Sequence, residues 1–287
     1  MPQGFPDCIL PAGSAESKRQ RLTAFLETLF LELADRFTSK RPYPSVSREQ
    51  LSTCKIVSHR GEWINGGLIE NTLAAFEAAL DGGVWGLEFD IRWTRDQVPV
   101  VSHDPDLSRL FGAPDTISGL TFAQLRRRFP DIPSLEEMVE RFGRRCHLMI
   151  ELKEEPFPDP LGQERILADR LAPLTPVCDF HLMSLNPAVF SVFEVAPRDA
   201  MLPIARLQTR RFSRLALSSR FGGLTGHYLL LSRRLVRRHH RHGQRVGTGF
   251  IASVSCLHRE LSREVDWLFT NRGAALQRYV AGVIDRC

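Results

Sequence analysis

The sequence predicts an α/β protein and, within that class, a closed (β/α)8 TIM barrel, irregular around its second and third strands and preceded by an N-terminal helical extension. Three observations lead there. Short apolar runs of strand length alternate with helical patterns from Lys55 onward. About eight strands can be read, the number a closed parallel barrel needs. The chain has 287 residues, enough for one barrel, and no GxGxxG or GxxxxGK[ST] loop follows the first strand, which leaves a doubly wound open sheet as the runner-up.

Residues 1–15 are rich in Pro, Gly and Ser and read as irregular. From Ser17, the apolar residues Leu22, Phe25, Leu26, Leu29, Phe30, Leu33 and Phe37 recur at helical spacing and form one stripe. Docking on the main domain is the plainest use of that stripe, and a partner or peripheral membrane contact is the other. RPYPSVSREQ (41–50) reads as a linker, because two prolines in four residues stop a helix. The expected division is an extension over 1–50 and a barrel domain over 51–287.

The strands expected next are KIVSH (55–59), WGLEFDIRW (85–93), VPVVSH (98–103), HLMIELK (147–153), FHLMS (180–184), MLPIARL (201–207), YLLLS (228–232), RVGTGFI (245–251) and VDWLFT (265–270). Between them, helices are expected over 71–83, 121–129, 134–143, 162–174, 186–197 and 233–242, with Ser134 and Glu137 spaced as a capping box. Only TRDQ (94–97) joins the second and third strands, too little for a parallel crossover, so a hairpin is implied. A turn centred near Asp96 would bring His103 to within one neighbour of direct opposition to Asp90.

A hydrophobic fraction of 43% and a charged fraction of 25% exclude a disordered or fibrous chain. The net charge of +5 is carried by arginine: only Lys18, Lys40, Lys55 and Lys153 are lysines, and the other 34 of the 38 basic residues are arginines. Anionic partners suit such a balance. The run RRLVRRHHRHGQR (233–245) has no interleaved aromatic residue to stack bases, so it reads as a solvated helix face and no nucleic-acid partner is expected. Six cysteines without a CxxC spacing read as reduced thiols. No signal-like start and no apolar run of membrane-spanning length is present, so a cytoplasmic location is expected.

Candidate chemistry gathers at strand ends, which form the active face of a barrel. Glu88 and Asp90 lie two apart on one strand and therefore share a face, as do Glu151 and Lys153. Carboxylates converging inside a barrel repel one another unless a cation compensates, and hard oxygen ligands suit Mg²⁺ or Ca²⁺. Glu88, Asp90 and Glu151 are thus the metal candidates. His59 and His103 are the acid/base candidates, since two histidines on opposite sides of a phosphorus can divide the proton transfers of phosphodiester cleavage. Arg60 and Lys153 could offset the charge on the phosphoryl oxygens.

These residues stand in motifs: His59-Arg60-Gly61, Glu70-Asn71-Thr72, Glu88-Phe89-Asp90, Pro99-Val100-Val101-Ser102-His103-Asp104 and Glu151-Leu152-Lys153. Their order and spacing resemble the glycerophosphodiester phosphodiesterases, densely from Ile56 to Lys153 and thinly to Arg272. The resemblance implies a metal-dependent TIM-barrel enzyme releasing glycerol 3-phosphate and an alcohol from a small-molecule phosphodiester. It also implies His59 and His103 as acid and base, Glu88, Asp90 and Glu151 as ligands of Mg²⁺ or Ca²⁺, and Arg60, Lys153 and Asn71 at the phosphate.

Three departures stand out. Ile69, at the end of the loop EWINGGLI, replaces a proline before the ENT motif; GTGFI (247–251) replaces WTVN, with loss of a tryptophan; and the late TD motif of the family becomes Thr270-Asn271 here. The half that recognises the alcohol therefore looks altered. Two other readings stay open: the same chemistry on a lysophospholipid or sugar phosphodiester, and a barrel serving only as a binding protein.

Overall fold

A computed structural model of the chain describes residues 44–64 and 67–286. The amphipathic stripe expected over 22–37 lies outside the described residues. Helix α1 (Arg48–Ser52) is opened by a Ser47/Gln50 capping box, within the segment read as a linker. It is tied to the C-terminal helix by the Arg48 guanidinium, which donates to the Ile284 carbonyl at 2.8 Å.

Nine strands follow: β1 (Ile56–His59), β2 (Gly86–Trp93), β3 (Pro99–Val101), β4 (His147–Leu152), β5 (Phe180–Ser184), β6 (Met201–Ala205), β7 (Gly223–His227), β8 (Arg245–Gly249) and β9 (Trp267–Thr270). All except β3 are parallel, in the order β1-β2-β4-β5-β6-β7-β8-β9, and β9 pairs back onto β1 to close the barrel. Helices α2 (Leu73–Asp81), α3 (Ser108–Phe111), α4 (Phe122–Arg128), α5 (Leu135–Phe142), α6 (Pro160–Leu171), α7 (Thr209–Ser218), α8 (Arg233–His240), α9 (Val254–Ser262) and α10 (Gly273–Ile284) complete the unit. The expected irregularity is there: β3 turns back antiparallel onto β2, with Ile91 opposite Val101. Residues 102–133 then make an excursion in which Leu107, Ile117, Leu125, Phe129 and Ile132 form a separate apolar cluster with Val100 of β3 before α5 returns to the barrel wall.

Two expectations are corrected. The strand placed at 228–232 is instead β7 at Gly223–His227, and Tyr228–Leu230 form a short 3-10 turn. Glycines hide this strand from sequence pattern: a Cβ on Gly223 would overlap the Arg245 carbonyl, and one on Gly226 would lie 2.9 Å from the Ala205 carbonyl oxygen. The helix expected over 186–197 is only a 3-10 turn, Pro187–Ser191. Beyond it the Glu194 amide donates to the Glu164 side chain at 2.9 Å rather than to a helical carbonyl.

Alternation along the strands fills the barrel in tiers. At the N-terminal end, His147 and His181 are buried between the rings of Trp85 and Trp267. The middle tier is the apolar cluster Val57, Met149, Met183, Leu202, Trp267 and Phe269. Gly247 is required beside it, since a Cβ there would come within 2.7 Å of the Phe269 ring. Above these, at the strand C-termini, the interior turns charged.

Candidate active site

Glu88 and Asp90 project inward from β2 and Glu151 from β4, where the register pairs Asp90 with Glu151. One oxygen from each of the three buried carboxylates lies within 4.8 Å of the others. Lys153, just past β4, places its ammonium 2.7 Å from Asp90 Oδ1 and 2.6 Å from Glu151 Oε1. Arg60 Nε lies 3.3 Å from Asp90 Oδ2, and Asn71 Nδ2 donates to that same oxygen at 3.0 Å. Glu88 Oε2 is buried without a hydrogen-bond donor. Three acids against Lys153 and Arg60 leave one negative charge uncompensated, and a donorless carboxylate oxygen faces the cluster, so the residues fit a hard divalent cation.

Backbone geometry explains two of the motifs. Arg60 and Asn71 both occupy the left-handed region, with φ of 61° and 60°, and are joined because the Asn71 amide donates to the Arg60 carbonyl at 3.0 Å. The Arg60 amide in turn donates to the Glu88 carbonyl at 2.9 Å, fastening the end of β1 to β2. Gly61 has φ +81°, and a Cβ there would come within 2.7 Å of Ala75. In the ENT motif each residue has its own task. Glu70 receives Arg60 and Arg109, Asn71 reaches Asp90, and the Thr72 hydroxyl caps α2 by accepting from the Ala75 amide at 3.3 Å.

The two histidines are held alike. His59 Nδ1 lies 2.6 Å from Asn271 Oδ1, and His103 Nδ1 lies 2.7 Å from Asp104 Oδ1. Both partners are oxygen acceptors, so each Nδ1 carries the proton and each Nε2 is left as the open nitrogen. His59 Nε2 is 3.7 Å from Glu88 Oε2, beyond hydrogen-bond reach. The hairpin register carries His103 as expected: Ser102 faces Asp90, donating its amide to the Asp90 carbonyl at 3.0 Å, and His103 is the next residue. All eight residues singled out in the sequence, His59, Arg60, Asn71, Glu88, Asp90, His103, Glu151 and Lys153, lie at this strand-end face.

Electrostatics separate the acids. Burial, and then the neighbouring Asp90 and Glu151 charges, push the Glu88 carboxyl well above the usual carboxylate range. Burial acts in the same direction on Asp90, but Lys153 and Arg60 outweigh it and hold this carboxyl low. Burial raises Glu151 despite Lys153. Both histidines are neutral near pH 7: burial and Arg60 lower His59 to about 3, while burial and Lys153 lower His103 to about 4.

Sequence reasoning gave no role to Asp104, Asn271, Glu70, Arg109 or Phe250. Asp104 and Asn271 orient the histidines, and Arg109 bridges Glu70 and Asp104 at 2.5 Å to each. Phe250, in the segment that departs from the family pattern, meets His59 edge-on at 4.7 Å between ring centres. The HD dipeptide was the available signal for Asp104. The ENT motif was the signal for Glu70, Asn271 and Phe250 stand where the chain departs from the family pattern, and Arg109 has no motif of its own. A groove of about 550 Å³ lined by Phe157, Pro160, Leu161 and Val192 lies beside α6 and contains none of the site residues.

Fold and site together place the chain among TIM barrels that gather a buried acidic trio between two tethered histidines at the strand C-termini. Residues 59–169 match the glycerophosphoryl diester phosphodiesterase family. It is 34% identical over 125 residues to a glycerophosphodiester phosphodiesterase of Bacillus altitudinis, a match covering 39% of this chain and 50% of that protein. To glycerophosphodiester phosphodiesterase 1 of Rattus norvegicus it is 36% identical over 140 residues, 42% of this chain and 41% of the relative. The chain thus spans about half, or less, of the length of these relatives. Among solved structures, the Thermotoga maritima glycerophosphodiester phosphodiesterase shares the fold with a TM-score of 0.65 at 22% identity, covering 79% of this chain and 97% of that one. An Oleispira antarctica phosphodiesterase in complex with the product sn-glycerol-3-phosphate does so with a TM-score of 0.63 at 20% identity, covering 80% and 98%.

Proposed function

We propose that this chain hydrolyses glycerophosphodiesters to glycerol 3-phosphate and an alcohol, with His59 and His103 moving the protons beside a divalent cation, Mg²⁺ or Ca²⁺. One observation carries the reading: a converging acid trio stands between two histidines that both keep Nε2 open. The names of the matched relatives and the product held by the Oleispira antarctica phosphodiesterase point the same way.

Glu88, Asp90 and Glu151 would hold the cation, which when bound supplies positive charge to polarise the phosphoryl group. Arg60 and Lys153 offset the remaining charge on the phosphoryl oxygens. Asn71 Oδ1 is buried without a donor and can accept from a substrate hydroxyl. His59 Nε2 takes the proton of the attacking hydroxyl as the new phosphorus–oxygen bond forms. His103, which binds a proton as the anionic phosphate enters beside it and is held by Asp104, gives that proton to the alcohol oxygen as the old bond breaks and a cyclic phosphate is left. Water then loses a proton to His103 as it attacks the phosphorus, and His59 returns its proton to the glycerol oxygen that leaves, which releases glycerol 3-phosphate.

A lysophospholipid is the second reading, favoured by Phe250, whose apolar ring is 40% exposed and lies against His59 where the leaving alcohol would pass. A human lysophospholipase D is among the relatives, 35% identical over 128 residues, 44% of this chain and 36% of that protein. Glycerophosphocholine, lysophosphatidylcholine and a sugar phosphodiester, each assayed with Mg²⁺ and with Ca²⁺, decide between them. Release of glycerol 3-phosphate is expected from the first substrate. Cleavage of the lysolipid alone would favour the second reading, and a folded chain that cleaves none of them would remove both.

A further inference from the structure

Among the described residues, the large hydrophobic side chains exposed to solvent are Ile64, Leu161, Leu207, Leu229 and Phe250. Exposed singly, such residues mean nothing. These five share one end of the barrel: Ile64 follows β1, Leu161 stands in the first turn of α6, and Leu207, Leu229 and Phe250 follow β6, β7 and β8. No counterpart is exposed at the opposite end among the described residues. One-sided apolar exposure is the mark of an interaction surface.

Charge divides this rim into two sectors. Beside Leu161, the groove along α6 is lined by Glu164 and Glu194. The segments 206–211 (RLQTRR), 228–234 (YLLLSRR) and 249–253 (GFIAS) contain no acidic residue. Arg210 and Arg211 open α7 and Arg234 opens α8, and all three are exposed. Helices α7 and α8 are neighbours, joined where Ser213 Oγ meets His239 Nε2 at 2.8 Å, so these arginines border the same sector as Leu207 and Leu229.

We infer that the β6–β8 sector of the rim, presenting Leu207 and Leu229 with Arg210, Arg211 and Arg234, is a docking surface for an anionic lipid bilayer. Apolar tips enter the headgroup boundary while guanidinium groups meet lipid phosphates, the combination that holds peripheral proteins on acidic membranes. A polyanion such as nucleic acid would use the arginines but would have no need of the leucines. Docked this way, the mouth of the barrel faces the lipid surface, with Phe250 at the boundary.

Sedimentation of the full chain with phosphatidylcholine vesicles, with and without phosphatidylglycerol, tests this. The vesicle readout does not use catalysis, so it fails or holds apart from the proposed reaction. The chain is expected to partition onto the phosphatidylglycerol vesicles and only weakly onto the neutral ones. Leu207→Asp with Leu229→Asp, and separately Arg210→Glu with Arg211→Glu and Arg234→Glu, should each weaken that partition about tenfold or more. The same variants should keep the parent's unfolding midpoint and its activity on a soluble phosphodiester, and Leu161→Asp should bind as the parent does. If the aspartate pair does not fold, Leu207→Ser with Leu229→Ser takes its place. Absence of parent binding to anionic vesicles overturns the inference, as does full binding by either set. Loss confined to the arginine set, with the leucine set unaffected, overturns it too and marks a general polyanion surface.

Discussion

The Lys153 ammonium lies 2.7 Å from Asp90 Oδ1, and both side chains are buried. It is an internal counter-ion in a cluster that also holds Glu88 and Glu151, and removing it would leave the three carboxylates to the Arg60 guanidinium. Lys153→Met should therefore destabilise the protein by about 3–5 kcal/mol. Urea unfolding with and without Mg²⁺ or Ca²⁺ checks this, because an added cation should restore part of the loss. Equal losses with the cation and with EDTA would show that no cation reaches the acids.

His59→Ala and His103→Ala should each lower kcat by about 10²–10⁴-fold, the usual worth of a positioned proton carrier, with the unfolding midpoint near that of the parent. Asp104→Asn should give a smaller loss, since His103 keeps its place but loses the charge that supports its imidazolium. Steady-state kinetics on glycerophosphocholine measure all three. Parent-like turnover in both alanine variants would dismiss histidine catalysis.

EDTA should abolish activity, and excess Mg²⁺ or Ca²⁺ should restore it. In calorimetry, saturating cation should stabilise the parent by about 2–3 kcal/mol at a hundredfold excess over its dissociation constant. Glu88→Gln should remove most of that cation-induced gain. In the absence of cation it should be at least as stable as the parent, because it replaces a carboxyl whose charged form is disfavoured by burial and then by the Asp90 and Glu151 charges.

A fourth prediction concerns acid stability and the far end of the barrel. His147 Nδ1 donates to the Cys178 carbonyl at 3.0 Å, which leaves Nε2 to accept from His181 Nδ1 at 2.7 Å. Burial lowers His147 from 6.5 to about 4 and His181 from 6.5 to about 3. The folded chain then binds fewer protons than the unfolded chain below pH 6.5. The pair's contribution to stability is complete above that pH and should fall by roughly 2–3 kcal/mol per histidine as pH drops toward 4. Unfolding midpoints across this range test the claim, and His181→Phe should flatten the decline.

The half that carries the candidate site was legible because its motifs are local. His59 to Lys153 spans β1 to β4, and the period of two that puts Glu88 and Asp90 on one face can be read directly from the chain. The hairpin was legible from a connection too short to cross over, and its register placed His103 beside Asp90. Other parts were not. The β7 strand is written in glycine because its neighbours leave no room for side chains, so no apolar alternation marks it. Asn271 and Phe250 reach His59 from more than 190 residues away, and such contacts exist only once β8 and β9 close the barrel.

The excursion after β2 gives the proposed acid–base pair unequal foundations. His59 is set at the end of a barrel strand, within the continuous sheet, whereas His103 rides on a segment whose small apolar cluster joins five of its own residues to Val100 of β3. Small clusters open before closed sheets do. A partial opening there would withdraw one proton carrier while the acidic trio and the other histidine stayed in place. Substitutions at Leu107 or Ile117, which belong neither to the acidic trio nor to the histidine pair, would then lower turnover more steeply than they lower the global melting temperature.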